Sequence, residues 1–140
     1  MTSMDNITLG VLTSGGDAPG MNAAIRATVR TALANRARAI GVANGFEGLV
    51  NGEFRPLNAR DVGGILQRGG TILQTRRSKR FEEAKGMREA IRHMNEAGMD
   101  GLIVIGGDGS LMRWRSKASR LWAFPPVLTT IFGAQIWQSA

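Results

Sequence analysis

Apolar positions in the first hundred residues follow two alternating patterns. Ile7 to Leu12 is a run of β-branched and aliphatic residues, too short for a helix, and it stops at Thr13-Ser14-Gly15-Gly16-Asp17-Ala18-Pro19-Gly20. The pattern predicts a buried strand and then a glycine-rich loop. Met21, Ala24, Ile25, Val29, Ala32 and Leu33 recur at helical spacing and predict a helix from Met21 to about Asn35. Ala39 to Ala43 predicts a second strand, turning at Asn44-Gly45. Val62, Ile65 and Leu66 form one face of a short predicted helix that Asp61 is placed to cap, with Gly69-Gly70 ending it. Met87, Ala90, Ile91 and Met94 mark another helix closing at Gly98, and Leu102 to Ile105 is a continuous apolar strand. His93, the only histidine, falls on the flank of that helix and is expected to face solvent without a role. Strand and helix in alternation imply an α/β fold, a Rossmann-like parallel sheet with flanking helices.

Composition narrows the class. The chain has 140 residues, enough for one domain or part of a larger one, and at 43% hydrophobic and 21% charged it is far too apolar for a disordered chain. It has no cysteine, which removes disulfides, thiolate metal sites and cysteine nucleophiles, and fits a reducing cytoplasm. The polar start from Met1 to Asn6 does not resemble a signal peptide, and no apolar run reaches membrane-spanning length. A cytoplasmic protein without a membrane partner is expected.

Charge is unevenly placed. The formal net charge is +7, yet residues 1–110 contain all 11 acidic residues and 14 of the 18 basic ones, with 18 of the 19 glycines. Residues 111–140 have four basic residues (Arg113, Arg115, Lys117, Arg120), no acid, one glycine and all three tryptophans. A boundary near Ser110 follows, dividing a 1–110 unit from a 111–140 tail. As a basic amphipathic extension for membrane or nucleic acid the tail is unconvincing, because its aromatic and basic residues follow neither a helical nor an alternating period.

Two glycine loops that follow predicted strands carry the candidate chemistry. In a parallel sheet the loops at the carboxyl ends of the strands line one crevice, and helix N-termini there offer backbone N–H groups to anions. Gly106-Gly107-Asp108-Gly109-Ser110 sets glycines around a carboxylate, so backbone can approach phosphate oxygens while Asp108 holds magnesium. A tight turn with a helix-capping aspartate is the plain alternative for either loop alone.

The stretch Val11-Leu12-Thr13-Ser14-Gly15-Gly16-Asp17-Ala18-Pro19-Gly20-Met21-Asn22-Ala23-Ala24-Ile25-Arg26, with Arg68-Gly69-Gly70-Thr71 and Ile105 to Ser110, resembles the N-terminal part of an ATP-dependent 6-phosphofructokinase. The resemblance implies a glycolytic kinase that moves the γ-phosphoryl of ATP to fructose 6-phosphate, with Mg²⁺ as cofactor and a homo-tetramer for an intact enzyme. It places Gly16 at the ATP phosphates, Phe46 on the adenine side, and Arg77 with Ser78 where ATP is clamped. Arg77 would also neutralise transferring phosphoryl charge. Gly107, Asp108, Gly109 and Ser110 would wrap the phosphates, with Asp108 on the metal. Gly109 matches the ATP-using enzymes, because pyrophosphate-using relatives carry aspartate there and a carboxylate would repel the α-phosphate.

Arg26 and Arg30, spaced i,i+4, resemble the family's effector phosphate site. As two solvated arginines they would repel by roughly 0.2–0.5 kcal/mol unless an anion bridges them. Ala59 and Gly64 stand where an arginine and an aspartate of that site are expected, which puts effector regulation in doubt. The cluster Arg76, Arg77, Lys79 and Arg80 lacks the interleaved aromatics of an RNA surface, and no nucleic-acid partner is expected.

The family pattern fails after Ser110. Phosphofructokinases continue to a P-x-[TS]-I-D-N-D loop whose first aspartate is the general base, and this motif is absent. Back-translating Val127 to Ala140 one base out of frame nevertheless allows I-D-N-D-I-W-G-T-D-L-A-I-G, and starting further back allows V-G-L-P-A-S directly before it. Synonymous codons free only the first base of each shifted codon, so a match of this length is improbable by accident. The tail thus resembles a frame-shifted phosphofructokinase segment, expected to be poorly ordered. A sequencing error and a genuine truncated product would look alike. A chain without the base is expected to be catalytically inactive and to survive, if at all, as a non-catalytic ATP–magnesium-binding fragment.

Overall fold

The computed structural model describes residues 6–16, 19–107, 127–131 and 134–138. The six strands are β1 (Thr8–Ser14), β2 (Arg38–Val42), β3 (Phe54–Leu57), β4 (Gly101–Gly106), β5 (Val127–Ile131) and β6 (Ala134–Gln138). The helices are α1 (Met21–Ala34), α2 (Gly45–Asn51), α3 (Lys79–Glu82) and α4 (Ala84–Glu96). One sheet runs in the order β3-β2-β1-β4-β6-β5. Its centre, β2-β1-β4, is parallel as the sequence implies, but β3 pairs antiparallel with β2, β6 with β4 and β5 with β6. The sheet is therefore mixed. The boundary expected at Ser110 lies outside the described residues.

Alternate residues of the central strands go to opposite faces, and both faces are covered, which is why these strands read as unbroken apolar runs. Leu12, Val42, Leu102 and Val104 pack with Leu49, Phe81, Met87 and Met94 from α2, α3 and α4. Val11, Ala39, Ile103 and Ile105 pack on the other face with Ile25, Val29 and Ala32 of α1 and with Val62, Ile65 and Leu73. The sheet is thus the middle of three layers.

Helix ends follow local chemistry. Beyond α4 the Gly98 N–H donates to Asn95 O and the Met99 N–H to Met94 O, with Gly98 at φ +68°, the paired bonds that close a helix through a left-handed residue. α1 closes the same way, Arg36 to Leu33 O and Ala37 to Ala32 O, but with Arg36 at φ 60° where glycine is the usual occupant.

Three expectations need correction. Residues 61–66 form turns and not a helix, because the Asp61 carboxylate accepts the Asn58 N–H at 2.7 Å and closes a turn with it. Val62 and Ile65 are buried there, but Leu66 is 54% exposed. α2, β3 and α3 went unanticipated, since each is at most seven residues long and shows no full period. His93 is half-buried: its ring packs within 3.2 Å of where a Gly52 side chain would stand, and its shielded Nδ1 has no hydrogen-bond partner among the described residues. α2 ends on Gly52, so the imidazole fills the space left by a missing side chain.

Within α2, a methyl group on Gly48 would run into the carbonyl oxygen of Ala43. That carbonyl cannot retreat, because Ala43 N–H is bonded to Glu53 O and Glu53 N–H to Gly48 O. Gly48→Ala should therefore cost about 3 kcal/mol through backbone overpacking. The expected readout is a lower urea midpoint with an unchanged slope; an unchanged midpoint would show that α2 does not pack on the end of β2.

Candidate functional site

The chain leaves β1 toward β2 through α1 on one face of the sheet, while β4, on the other side of β1, is reached through α4 on the opposite face. Between β1 and β4 the connections part, and a crevice opens beyond the carboxyl ends of the two strands. Ser14 is in register with Gly106, and a side chain on Gly106 would strike the Ser14 carbonyl oxygen. One residue on, Gly15 adopts φ +92°, and a Cβ there would stand 4.0 Å from the Gly107 backbone nitrogen. The two glycine loops thus leave the sheet side by side. Gly16 and Gly107 are both exposed, and a Cβ on either would meet nothing within 4 Å.

α1 starts beside them. Its N-cap, Gly20, sits at φ 95° with no side chain bonded to the first turn, and that turn has no acidic residue. Pro19, Gly20, Asn22 and Ala23 face Leu66 to Gly70 across an open depression of about 300 Å³. Asn22, only 3% exposed, ties the two sides: its side-chain N–H donates to Arg68 O at 3.1 Å and its carbonyl accepts the Ile72 N–H at 2.9 Å. Sequence reasoning passed over this residue. The signal was an asparagine three and seven positions before Ile25 and Val29, a polar side chain on the apolar stripe of α1.

From Ile72 the chain runs along the crevice toward Arg77. The Thr13 hydroxyl bonds to the Thr71 hydroxyl at 3.1 Å and donates to Gln74 O at 3.0 Å, while Asn44 N–H donates to Leu73 O at 2.8 Å. Arg76 then passes Gly45, where a Cβ would lie 3.1 Å from both Arg76 N and Thr13 O. Arg77 is exposed; Ser78 is buried, and its hydroxyl accepts the Phe81 N–H at 3.1 Å as the N-cap of α3. Ser78 therefore anchors the backbone next to Arg77 and spends its hydroxyl doing so.

The structure gathers Gly16, Gly107 and the Arg77 segment around one end of β1. Phe46 is 7% exposed and stacks on Phe81 with ring centroids 4.5 Å apart, so its faces are taken up in the core beneath α2 and α3. Arg26 donates to Val62 O at 2.7 Å, while Arg30, one turn on, is exposed. Asp108, Gly109 and Ser110 lie outside the described residues. Among the described residues no cluster of three or more acidic, histidine or cysteine side chains forms a metal site, and no helix is long and apolar enough to cross a membrane.

Glu53 follows the end of α2, and its carboxylate reaches back to Asn44 at the head of that helix. Asn44 donates to Oε2 at 2.7 Å and Asn51 to Oε1 at 3.2 Å. Those hydrogen bonds, the Asn44 one foremost, together with the positive charge of Arg76, hold the Glu53 carboxyl below its ordinary value despite a small opposing effect of burial. Asn44 itself is in a left-handed conformation at φ 59°, so this carboxylate steadies a strained residue at the head of α2.

A family model described as phosphofructokinase matches residues 8–129. ATP-dependent 6-phosphofructokinases of Clostridium botulinum (strain Hall) and Clostridium tetani are each 52% identical to the chain, over 103 and 108 residues; these cover 74% and 77% of this chain but 32% and 34% of theirs. The chain thus spans about a third of the length of the curated relatives it matches. Among solved structures, phosphofructokinase from Pichia pastoris in the T-state is similar with a TM-score of 0.79 and 41% identity, over 87% of this chain and 14% of that one. A pyrophosphate-dependent phosphofructokinase from Marinobacter aquaeolei shares the fold, with a TM-score of 0.66 over 82% of this chain and 29% of that one, at 18% identity.

Because the folded state holds Glu53 more acidic than the unfolded chain does, its contribution to stability is present above the unfolded value and is lost as pH falls through the folded one. Below pH ~4.3 the wild-type chain should lose stability faster than Glu53→Gln, whose amide cannot titrate. Parallel denaturation midpoints for the two proteins from pH ~6 to pH ~3 check this; parallel curves would remove Glu53 from the support of α2.

Proposed function

The chain belongs to the phosphofructokinase family, and on that premise we propose that its crevice is the nucleotide half of an ATP-dependent 6-phosphofructokinase site. The observation that carries the reading is the side-by-side exit of two glycine loops from β1 and β4, with Gly15 approaching Gly107 N and open space at Gly16 and Gly107. Backbone without side chains lets N–H groups reach phosphate oxygens, and the uncapped start of α1 adds its dipole to the same end of the sheet. Arg77, at the end of the strap, supplies positive charge to the phosphoryl groups. Gly16, Arg77, Gly107, Asp108, Gly109 and Ser110 are the proposed ATP contacts. Phe46 stays among the proposed adenine-side residues only as packing beneath the pocket, through its stack on Phe81.

A magnesium ion fits a donor set of this kind, with Asp108 as the carboxylate that would hold it beside the phosphates; it would supply neutralisation of phosphoryl charge. The chain's own residues bind and orient the nucleotide. Transfer to fructose 6-phosphate needs a carboxylate to take the proton of the sugar hydroxyl, and the motif that supplies it in this family is not in the sequence. We therefore propose ATP–magnesium binding without turnover for the 140-residue chain. Full catalysis, the tetrameric assembly and a cytoplasmic setting belong to an intact relative. Arg26 and Arg30 remain a proposed effector site, with Arg26 already engaged by Val62 O.

We also propose that residues 111–140 are read out of frame. Support comes from the tail's missing acids and three tryptophans and from the I-D-N-D string its codons allow. Sequencing the DNA across the codons for Ser110 to Arg120 decides it: one base gained or lost restores the family frame, and a clean read keeps the tail as printed.

Calorimetric titration with ATP and magnesium should show one site, and Asp108→Ala should weaken magnesium-dependent binding about tenfold, as loss of one metal-directed charge predicts. Release of ADP that depends on fructose 6-phosphate would overturn the non-catalytic assignment. No ATP binding at all would overturn the site.

A further inference from the structure

Position 13 follows the apolar residues Leu9, Val11 and Leu12 of β1. A valine at 13 would match the shape of threonine, yet Thr13 is fully buried at 0% exposure, and its hydroxyl must be stripped of water to sit there. Neither of its two bonds serves the sheet. One goes to the Thr71 hydroxyl at 3.1 Å and the other to Gln74 O at 3.0 Å, residues 58 and 61 positions along the chain.

The segment it grips is also held by Asn22 at the Ile72 N–H and by the Asn44 N–H at Leu73 O, and the Thr13 hydroxyl adds the hold on Thr71 and on Gln74 O. Gln74 stands at φ 63°, a left-handed conformation that glutamine rarely adopts unless its neighbours hold it there. Leu73 N–H reaches the Thr71 hydroxyl at 3.2 Å and Gln74 N–H reaches Thr71 O at 3.2 Å, so the turn closes on the residue that Thr13 holds. Two residues later Arg76 is wedged against Gly45, and at Ser78 the chain is fixed again by the cap of α3. Arg77 lies between these anchors, exposed.

We infer that Thr13 is a positioning residue: its hydroxyl pins the turn at 71–74 to the end of β1 and so holds Arg77 at the mouth of the crevice between β1 and β4. Thr13 touches no nucleotide in this arrangement. It acts through the strap, which makes the strand that ends in one glycine loop also the strand that sets the cation opposite it. The consequence for ATP rests on the nucleotide reading above; the pinning of the strap does not.

The experiment compares wild type, Thr13→Val and Thr13→Ser as full chains. Amide hydrogen exchange at Ile72, Leu73 and Gln74 should speed up about tenfold in Thr13→Val, while amides of Met94 and Met99 at the end of α4 keep their rates and Thr13→Ser stays near wild type. Equal acceleration at all these amides would mean a general loss of stability, and no acceleration would mean that the hydroxyl holds nothing; either overturns the inference. Similar exchange in the valine and serine variants would do the same.

A second arm measures ATP–magnesium affinity in a cycle with Arg77→Ala. Thr13→Val should weaken binding about tenfold in the wild-type background and leave it unchanged once Arg77 is gone. Equal losses in both backgrounds would show that Thr13 acts by another route than Arg77. A wild-type chain that binds no ATP would sink the nucleotide reading alone, because the exchange comparison still decides the role of Thr13.

Discussion

Ser14 and Gly106 face each other across the β1–β4 pair, and nothing larger than hydrogen fits on Gly106 beside the Ser14 carbonyl. This contact sets how closely the two central strands can finish, and so how closely the two glycine loops can start. A β-carbon there would have to push the strand ends apart, moving Gly15 away from Gly107 and widening the gap between the two loops. The requirement is geometric before it is chemical: a phosphate-sized anion can be held by two sets of backbone N–H groups only if both are within reach of it. The packing on either face of the sheet keeps the strand ends where this contact needs them.

A crevice that takes phosphate, as proposed, would also need a cation, and neither loop contains one. Arg77 arrives from a segment some sixty positions along the chain, carried past the end of β1 by buried polar bonds at Thr13 and Asn22 and by backbone bonds at Asn44. Buried polar groups are costly unless paired, so a site that spends a threonine hydroxyl and an asparagine amide in its apolar walls gains one definite strap geometry in return. Glycine at 45 completes the arrangement by letting α2 begin against the strap, which brings the Asn44–Glu53 pair to bear on the same segment.

How much of this could be read from sequence follows from what each element depends on. β1, α1, β2, α4 and β4 were legible because each buries a full stripe or a full run of apolar residues, and their ends fell within a residue or two of Ser14, Ala34, Val42 and Gly106. α2, β3 and α3 were not, because short elements held by distant partners leave no period. Ser78 could have been recognised as a cap only by knowing that a helix starts at Lys79. The error at 61–66 has the same origin: Val62 and Ile65 are indeed buried, but the polar groups of Asn58 and Asp61 bond each other and close turns before a helix can start. Likewise His93 was judged from its own helix alone, and its burial comes from Gly52 on another. The glycine loops were legible as chemistry, whereas Thr13 and Asn22 were not, since a polar residue inside an apolar pattern announces a bond without naming its partner.

On the proposed reading, binding would separate from catalysis because of where the contacts lie. The observed bonds that shape the crevice, from Thr13 and Asn22 to Leu73, Gln74 and Ser78, join residues within 8–107, and the two core layers that support them are built from the same span. Strands β6 and β5 add to the sheet beside β4 without contributing to those bonds. The proposed frame change after Ser110 would therefore take away the carboxylate that should accept the sugar proton, but it would leave the strap, the pin and both glycine loops through Ser110 in place. Positioning and charge neutralisation make up most of the work in phosphoryl transfer, yet they do nothing for a hydroxyl that has no base. On the proposed reading, a chain with these contacts and without that base would hold the donor and leave it unused.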